Sequence, residues 1–463
     1  MNRLPGTESG LNPNLSMGEQ WNNRALFRLL WPLLIEQLLA VTMGAADTIM
    51  VSSVGEFAVS GVNIIDNINN LLIIAFIALS TGGAVVTSQY IGRRDAENAR
   101  TAAKQLVYIV LITSLFMMGI SLCLRRQIIR LIYGNIETPV MDAAAVYFLI
   151  TALSYPFLAV YNANAALFRA QGNSRVTMQI AMVVNVMNLG GNAFFIYGLR
   201  IGVAGAAIST LLSRIVAASI TLGLLTHNRT WPVSLSGIFK VRLIRPMIRN
   251  ILNVAIPSGL ESSMFQIGRL LTQRIFTTFG ARAFAANAIA SVVNSFSFMP
   301  GMAYGMALLT IVGQCIGAGD YGAAKKQTAK IMRLTHITLF LISAMVYVFM
   351  EPLIGLFSLS PEARDLAKSF LRVHCISMAI GWATSFALPN ALRAAGDARY
   401  VMIAATVSMW TVRVSAAYLL AYTFRMGPLG VWLAMGADFL VRGTCYLTRW
   451  LRGTWQTKRV IKD

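Results

Sequence analysis

Twelve apolar stretches dominate the chain, and each is long enough to cross the hydrocarbon core of a bilayer as an α-helix. They lie near residues 26–51, 59–88, 103–123, 143–168, 177–199, 203–226, 251–277, 284–315, 331–352, 369–393, 400–424 and 429–448. Only 12% of the 463 residues are charged, whereas about 25% is usual in soluble domains. Because this number of charges is too small to cover a water-facing surface, much of the chain must face lipid. We therefore predict an all-α, multi-pass membrane protein.

The net charge of +21 comes from short clusters of Lys and Arg between the apolar stretches. Charges in such positions flank membrane spans, and no compact basic module suggests nucleic-acid binding. When both termini are placed in the cytoplasm, Lys and Arg are more frequent in the cytoplasmic segments than in the outer ones. We therefore expect this orientation in the cell (inner) membrane, with the lipid bilayer and no nucleic acid as a partner.

The chain repeats itself after a constant shift of 225 residues, which places Pro32 and Glu36 opposite Pro257 and Glu261. The run QYIGRRD at 89–95 likewise meets QCIGAGD at 314–320. Each half holds six stretches, and because six is even, both halves insert the same way round. We predict twelve transmembrane helices in two pseudo-symmetric six-helix bundles. The predicted domains are a cytoplasmic N-terminal tail (1–25), an N-terminal bundle (26–226), a cytoplasmic linker (227–250), a C-terminal bundle (251–448) and a basic cytoplasmic tail (449–463).

Catalytic and cofactor motifs do not stand out in the sequence. The four cysteines and three histidines are far apart, and neither a P-loop nor an HExxH motif occurs. Gly317, Gly319 and Gly322 fit GxGxxG, but they follow a predicted membrane helix instead of a strand. We expect no enzymatic activity and no cofactor.

Asp47 is an ionisable residue inside the first predicted span. Placing a charge there costs free energy, so such a residue marks a candidate functional site. Asn188 and Asn192 are i, i+4 neighbours in the fifth span, and Thr210 follows in the sixth. One carboxylate with amide and hydroxyl oxygens suits sodium, and the same carboxylate could instead hold a proton. The alternatives are a hydrated carboxylate near the interface and an interhelical hydrogen-bond pair. We expect no metal ion other than sodium at Asp47.

A polar stripe follows one face of the second span, and the eighth span repeats part of it. Its members are Asn63, Asp66, Asn67 and Asn70, with Asn287 and Asn294 in the repeat. Such a face must contact protein or a water-filled cavity. It is either a substrate passage or a set of hydrogen bonds between helices.

Glu36 and Glu261 each lie four residues after a proline within a span. The proline loosens the helical backbone, and a nearby carboxylate can accept the freed hydrogen bonds. Since the two residues are equivalent in the repeat, we expect a structural or hinge role for both.

Several motifs together resemble the multidrug and toxic compound extrusion transporters. They are WPLLIEQLLAVTMGAADTIMVSSVG at 31–55, the repeated QxIGxxD, ALFRAQGNSR at 166–175 and FFIYGLRIGVAGAAIST at 194–210. The resemblance implies two six-helix bundles in a V and an exporter that exchanges small organic, typically cationic, molecules for protons or sodium. Export of a specific metabolite, such as a flavin or peptide, and flipping of a lipid-linked precursor remain the alternatives. We expect a monomer with small-molecule substrates.

The resemblance also implies that Asp47, Asn188, Asn192 and Thr210 match the family's cation site in the first half. The coupling ion, proton or sodium, stays open. The equivalent residues of the second half are Thr272, Arg413, Ala417 and Met435, so we expect only one such site. The roles of Arg269, Arg413 and Asp438 stay open between an ion pair and contact with an anionic part of a substrate.

Overall fold

The computed structural model describes residues 16–134, 136–228, 231–240, 242–458 and 460–461, and these fold into helices and turns without a β-strand. The helices of the N-terminal half are α1 (Met17–Gln20), α2 (Asn23–Ser52), α3 (Glu56–Gly92), α4 (Ala96–Tyr133), α5 (Thr138–Leu153), α6 (Tyr155–Ala170), α7 (Ser174–Asn192), a π-helical turn (Ala193–Gly198) and α8 (Gly202–His227).

The C-terminal half has the same succession, but its later helices contain more π-helical turns. Its elements are α9 (Arg245–Thr278), α10 (Ala281–Gly317), α11 (Tyr321–Val348), α12 (Met350–Gly355), α13 (Pro361–Ser377), a π segment (Met378–Ala387), α14 (Leu388–Ala394), α15 (Ala398–Ser408), a π segment (Met409–Val414), α16 (Ser415–Tyr418), a π segment (Leu419–Thr423), α17 (Leu429–Leu451) and a 3₁₀ turn (Thr454–Thr457).

Nine helices of the described part are long and apolar enough to span a membrane, and α5 with α6, bent by 48°, forms a tenth. The remaining two spans predicted from the sequence correspond to α9 and α17. Both have the length of a span but carry several charged residues, which lower their hydropathy. With α9 and α17 included, the described residues contain twelve helical segments of membrane-spanning length.

The chain divides into two compact units. The N-terminal unit includes Arg24–Ala255, and the C-terminal unit includes Ile256–Asp463 together with α1. The division falls inside α9, between Ala255 and Ile256 and one residue ahead of Pro257. α9 begins at Arg245, about three turns before its proline. The last part of the predicted linker 227–250, from Arg245 onward, is therefore helical.

Equivalent positions of the two halves share unusual backbone conformations. Gly55 and Gly280, which precede α3 and α10, have φ of 130° and 90°, a region that favours glycine. Arg200 and Arg425 have φ of 53° and 55° although they are not glycines. The repeated QxIGxxD motif ends in an Asp that caps the next helix: Asp95 Oδ1 accepts from the amide of Asn98 at 3.0 Å. The sequence repeat is therefore also a repeat of backbone structure.

The described parts of the predicted tails are packed. In α1 the Met17 side chain is buried, and the Trp21 indole donates to Gln314 Oε1 at 3.1 Å within the C-terminal unit. At the other end, the buried Trp455 stacks on Trp450 with ring centroids 4.2 Å apart. Residues 1–15 lie outside the described residues.

Candidate functional site

Asp47, Asn188, Asn192 and Thr210, chosen from the sequence, lie in one hydrogen-bonded chain within the N-terminal unit. Asn192 Nδ2 donates to Asp47 Oδ1 at 2.6 Å and to Asn188 Oδ1 at 3.1 Å. Asn188 Nδ2 in turn donates to Thr210 Oγ1 at 3.2 Å. These side-chain hydrogen bonds thus join α2, α7 and α8.

Close packing of α7 against α8 holds the two asparagines in place. A Cβ on Gly191 would collide with Ser209 Oγ, so a larger residue would force the Ser209 side chain to shift. Ser209 Oγ donates to the Asn188 carbonyl oxygen at 2.8 Å. Asn188 and Asn192 are each 1% exposed, whereas Asp47 is only partly buried. The packing therefore sets where the asparagines lie on α7, and the carboxylate stands at the accessible end of the hydrogen-bonded side chains.

Asn192 Oδ1 is buried and has no hydrogen-bond partner among the described residues. A buried amide oxygen without a donor is destabilising by about 1–3 kcal/mol. This oxygen belongs to the amide group that contacts Asp47, so the site contains an unused acceptor beside a carboxylate. Such an arrangement can accept a proton-bearing group or coordinate a hard cation.

Asp66, a member of the polar stripe, belongs to a second polar group of the same unit. Tyr147 Oη donates to Asp66 Oδ1 at 3.2 Å. Arg214 Nη1 donates to Ser154 Oγ at 2.6 Å, and its guanidinium interacts electrostatically with both Asp66 and Asp47. The two carboxylates therefore lie in the electrostatic field of the same arginine.

The other stripe residues have no common environment. Asn63, Asn67 and Asn70 lie on the exposed surface of α3, whereas Asn287 is buried and Asn294 partly buried in α10. Three exposed amides on one face of a membrane helix favour contact with water over contact with lipid.

Glu36 and Glu261 form equivalent ion pairs. Arg169 Nη1 lies 2.9 Å from Glu36 Oε1, and Arg393 Nη2 lies 2.7 Å from Glu261 Oε2. Thr177 Oγ1 also donates to Glu36, at 2.7 Å. Among the described residues, the partners of both glutamates are thus side chains of other helices. The sequence had instead suggested the backbone that the prolines loosen.

In the C-terminal unit, the position equivalent to Asn188 holds Arg413, which is 7% exposed. Arg413 Nη1 lies 3.8 Å from Asp438 Oδ2, and Arg442 Nη2 lies 3.4 Å from the same oxygen. Ser408 Oγ donates to the other carboxylate oxygen at 2.6 Å. The exposed Arg269 interacts electrostatically with Arg413. Of the open roles for these residues, the structure places Arg413 in an ion pair with Asp438.

The partners that sequence reasoning missed include four arginines and one tyrosine, namely Arg169, Arg393, Arg214, Arg442 and Tyr147. The first two had a visible signal, since each is the arginine of the matching segments ALFRAQG and ALRAAG in the repeat. Arg214 and Arg442 were detectable as charges within predicted spans. Tyr147 had no signal, because one tyrosine in an apolar helix does not indicate its contacts.

The MatE family model matches residues 32–194 and 257–419, one match in each half. Among curated proteins, the chain is 28% identical over 441 residues to the uncharacterized transporter YisQ of Bacillus subtilis, covering 94% of this chain and 95% of that protein. It is also 28% identical over 455 residues to the probable multidrug resistance protein NorM of Thermotoga maritima, covering 95% and 94% respectively.

Solved structures share the fold. A MATE structure in the bent conformation superposes with a TM-score of 0.87 at 19% identity, covering 96% of this chain and 97% of that one. A MOP superfamily transporter from Pyrococcus furiosus gives a TM-score of 0.87 at 20% identity, covering 94% and 97%. The predicted fold of twelve helices in two pseudo-symmetric bundles is confirmed. Since the family model matches more than half of the chain, the protein belongs to the MatE family and is a multi-pass membrane transporter, not an enzyme.

Proposed function

We propose that the chain is a secondary active multidrug exporter, which exchanges small organic, typically cationic, molecules for protons or sodium by alternating access. Its location would be the cell inner membrane, with both termini in the cytoplasm and a monomer as the working unit. The names of relatives such as NorM of Thermotoga maritima support the substrate class. The observation that carries the proposal is the hydrogen-bonded chain from Asp47 through Asn192 and Asn188 to Thr210.

The charge of this region fits one monovalent cation. Asp47 and Asp66 are two carboxylates that interact with the single guanidinium of Arg214. When all three are ionised, their net charge is −1. One proton or one sodium ion neutralises this charge, whereas a second cation would leave an excess positive charge in a poorly solvated region.

The Asn192 amide can serve both the cation-free and the cation-bound site. In the arrangement described above, its Nδ2 donates to Asp47, as an ionised carboxylate requires. If the amide rotates by about half a turn, Oδ1 faces Asp47. That oxygen can then accept from a protonated carboxyl or coordinate sodium together with oxygens of Asp47 and Thr210. Cation binding would thereby satisfy the buried acceptor.

Export requires that the cation and the substrate favour different conformations. Cation binding removes the hydrogen bond from Asn192 to Asp47 and so changes the connection between α7 and α2. A change of contacts between these helices is a means by which occupancy of the site can bias one conformation over another.

The test uses purified full-length protein in proteoliposomes that contain a fluorescent organic cation. A proton gradient and a sodium gradient are applied separately, and transport is followed by fluorescence. We expect transport with one of the two gradients and its loss in Asp47→Asn, which keeps the side-chain shape and an acceptor oxygen for Asn192.

Asp142→Asn is the matched control, because Asp142 is 57% exposed and its one ion-pair partner among the described residues is the equally exposed Arg126. It should transport like the wild type. Full transport in Asp47→Asn would exclude the site. Movement of a lipid-linked precursor without either gradient, with no transport of organic cations, would favour the flippase alternative.

A further inference from the structure

The described interior of the C-terminal unit contains a buried cluster with an excess of positive charge. Asp438 is 0% exposed, and both charged groups within ion-pair distance of it are arginines, Arg413 and Arg442. Arginine stays protonated at neutral pH, so the three groups carry a net charge of +1. The neighbouring Glu261–Arg393 pair is neutral and does not change this sum.

The two arginines of the cluster also have unused hydrogen-bond donors. Arg413 Nη1 and both Nε and Nη2 of Arg442 are buried without a hydrogen-bond partner among the described residues. Asp438 Oδ2, which also has no hydrogen-bond partner among the described residues, lies 3.8 Å from Arg413 Nη1 and 3.4 Å from Arg442 Nη2, outside hydrogen-bond geometry. Arg442 is only 2% exposed, so bulk water cannot replace the missing acceptor. A buried excess of charge with unsatisfied donors is strongly destabilising unless another group compensates it.

Aromatic rings cover the faces of the guanidinium groups and leave their edges free. Arg442 lies 4.3 Å from the centroid of the Phe386 ring, and Arg413 lies 5.2 Å from that of Phe265. Ring faces attract a cation but accept no strong in-plane hydrogen bond. The N–H groups at the guanidinium edges thus remain available to an anion, which they bind in their plane.

In the sequence repeat, this cluster includes a position that corresponds to a residue of the candidate cation site. Arg413 occupies the position of Asn188, and it lies in one of the π segments that distinguish this half. π-helical turns occur frequently at functional sites. The N-terminal site offers oxygens and a net charge of −1, whereas the equivalent region of the C-terminal unit offers N–H donors and a net charge of +1.

We propose that Arg413 and Arg442 form a binding site for one monovalent anionic group. The group is either a small inorganic anion such as chloride or the carboxylate of an organic molecule, since both accept in-plane N–H donors and neutralise the cluster. Binding itself does not rest on the proposed export, because the site is defined by buried charge within one unit.

The test measures thermal unfolding of the full-length protein in detergent at constant sodium concentration. Chloride and bromide represent inorganic anions, benzoate represents a carboxylate, and benzamide is its neutral analogue. Sodium gluconate, a bulky and strongly hydrated anion, is the reference. We expect the melting temperature to rise saturably with chloride, or with benzoate but not benzamide. A rise with halides alone assigns the site to inorganic anions, and a rise with benzoate assigns it to carboxylates.

Variants distinguish a binding site from a structural ion pair. Arg413→Gln and Arg442→Gln each leave Asp438 with one arginine and a neutral cluster, so the apparent anion affinity should fall at least tenfold. In gluconate these variants should melt no lower than the wild type, because they remove an uncompensated buried charge. Arg282→Gln, at a residue whose side chain is 70% exposed in the same unit, should keep the wild-type response.

Asp438→Asn provides a test of opposite sign. It raises the net charge of the cluster, so anion binding should strengthen even if the protein is less stable in gluconate. The proposal is overturned if the wild type responds equally to all the sodium salts. It is also overturned if both arginine variants keep the full anion response, or if they are destabilised equally in every salt.

Discussion

The ion pair between Glu261 and Arg393 gives the sharpest prediction of stability. Arg393 Nη2 lies 2.8 and 2.7 Å from the two oxygens of Glu261, and the side chains are 14% and 11% exposed. Replacing Arg393 by Met leaves a buried carboxylate without a counterion, which destabilises by about 3–5 kcal/mol. For a folding unit of about 200 residues, this corresponds to a fall in melting temperature of about 6–20 °C.

A double variant separates the lost pair from other effects of the substitution. Glu261→Gln combined with Arg393→Met removes both charges, so the buried carboxylate no longer needs a partner. We expect the double variant to be more stable than Arg393→Met alone, with a coupling of about 2 kcal/mol or more between the two sites. The assay is thermal unfolding in detergent, followed by the remaining monodisperse protein.

The exposed pair Arg126–Asp142 is the matched control. Its atoms are 3.0 Å apart, but both side chains are 57% exposed, so Arg126→Met should destabilise by about 1 kcal/mol at most. The reasoning is refuted if Arg393→Met melts within 2 °C of Arg126→Met, where about 6 °C is the smallest fall expected. It is also refuted if the double variant is as unstable as the sum of its single variants.

Three further predictions concern packing, capping and the candidate site. Gly82→Ala should destabilise the protein by about 1–3 kcal/mol in thermal unfolding, because the new Cβ would stand 2.5 Å from a backbone carbonyl oxygen of α9. Gly119→Ala is the control and should not destabilise it, because its Cβ would enter open space. Asp95→Ala and Asp320→Ala each remove the cap of an equivalent helix and should each lower stability by about 1 kcal/mol, measured in the same way. Asn192→Ala should weaken the apparent affinity for the coupling cation at least tenfold in the proteoliposome assay; unchanged affinity would argue against an amide ligand.

The sequence was sufficient to predict the spans, because their length and apolar composition follow directly from the bilayer. Even α9 and α17 were recognised, although residues such as Glu261 and Asp438 reduce their hydropathy. Asp47, Asn188, Asn192 and Thr210 were predictable as a set, because buried polar residues are rare in such helices and because the family resemblance linked them.

Partners across long separations were not predictable from local patterns. Glu36 pairs with Arg169, which lies 133 residues further along the chain. The sequence instead favoured the backbone near Pro32, since that is the nearest group the proline could free. The repeat carried the missing information, because each half pairs a glutamate in its first span with an arginine at the end of its fourth span. The charge excess at Arg413 and Arg442 required the structure, since it depends on which carboxylates are within reach.

Cation binding by the purified protein tests the central claim most directly. Proton uptake, measured with a pH indicator, and binding of radioactive sodium are compared for the wild type, Asp47→Asn and Asp142→Asn in detergent. The account predicts one monovalent cation per molecule in the wild type and in Asp142→Asn, and none in Asp47→Asn. Equal cation binding by the wild type and Asp47→Asn would contradict it.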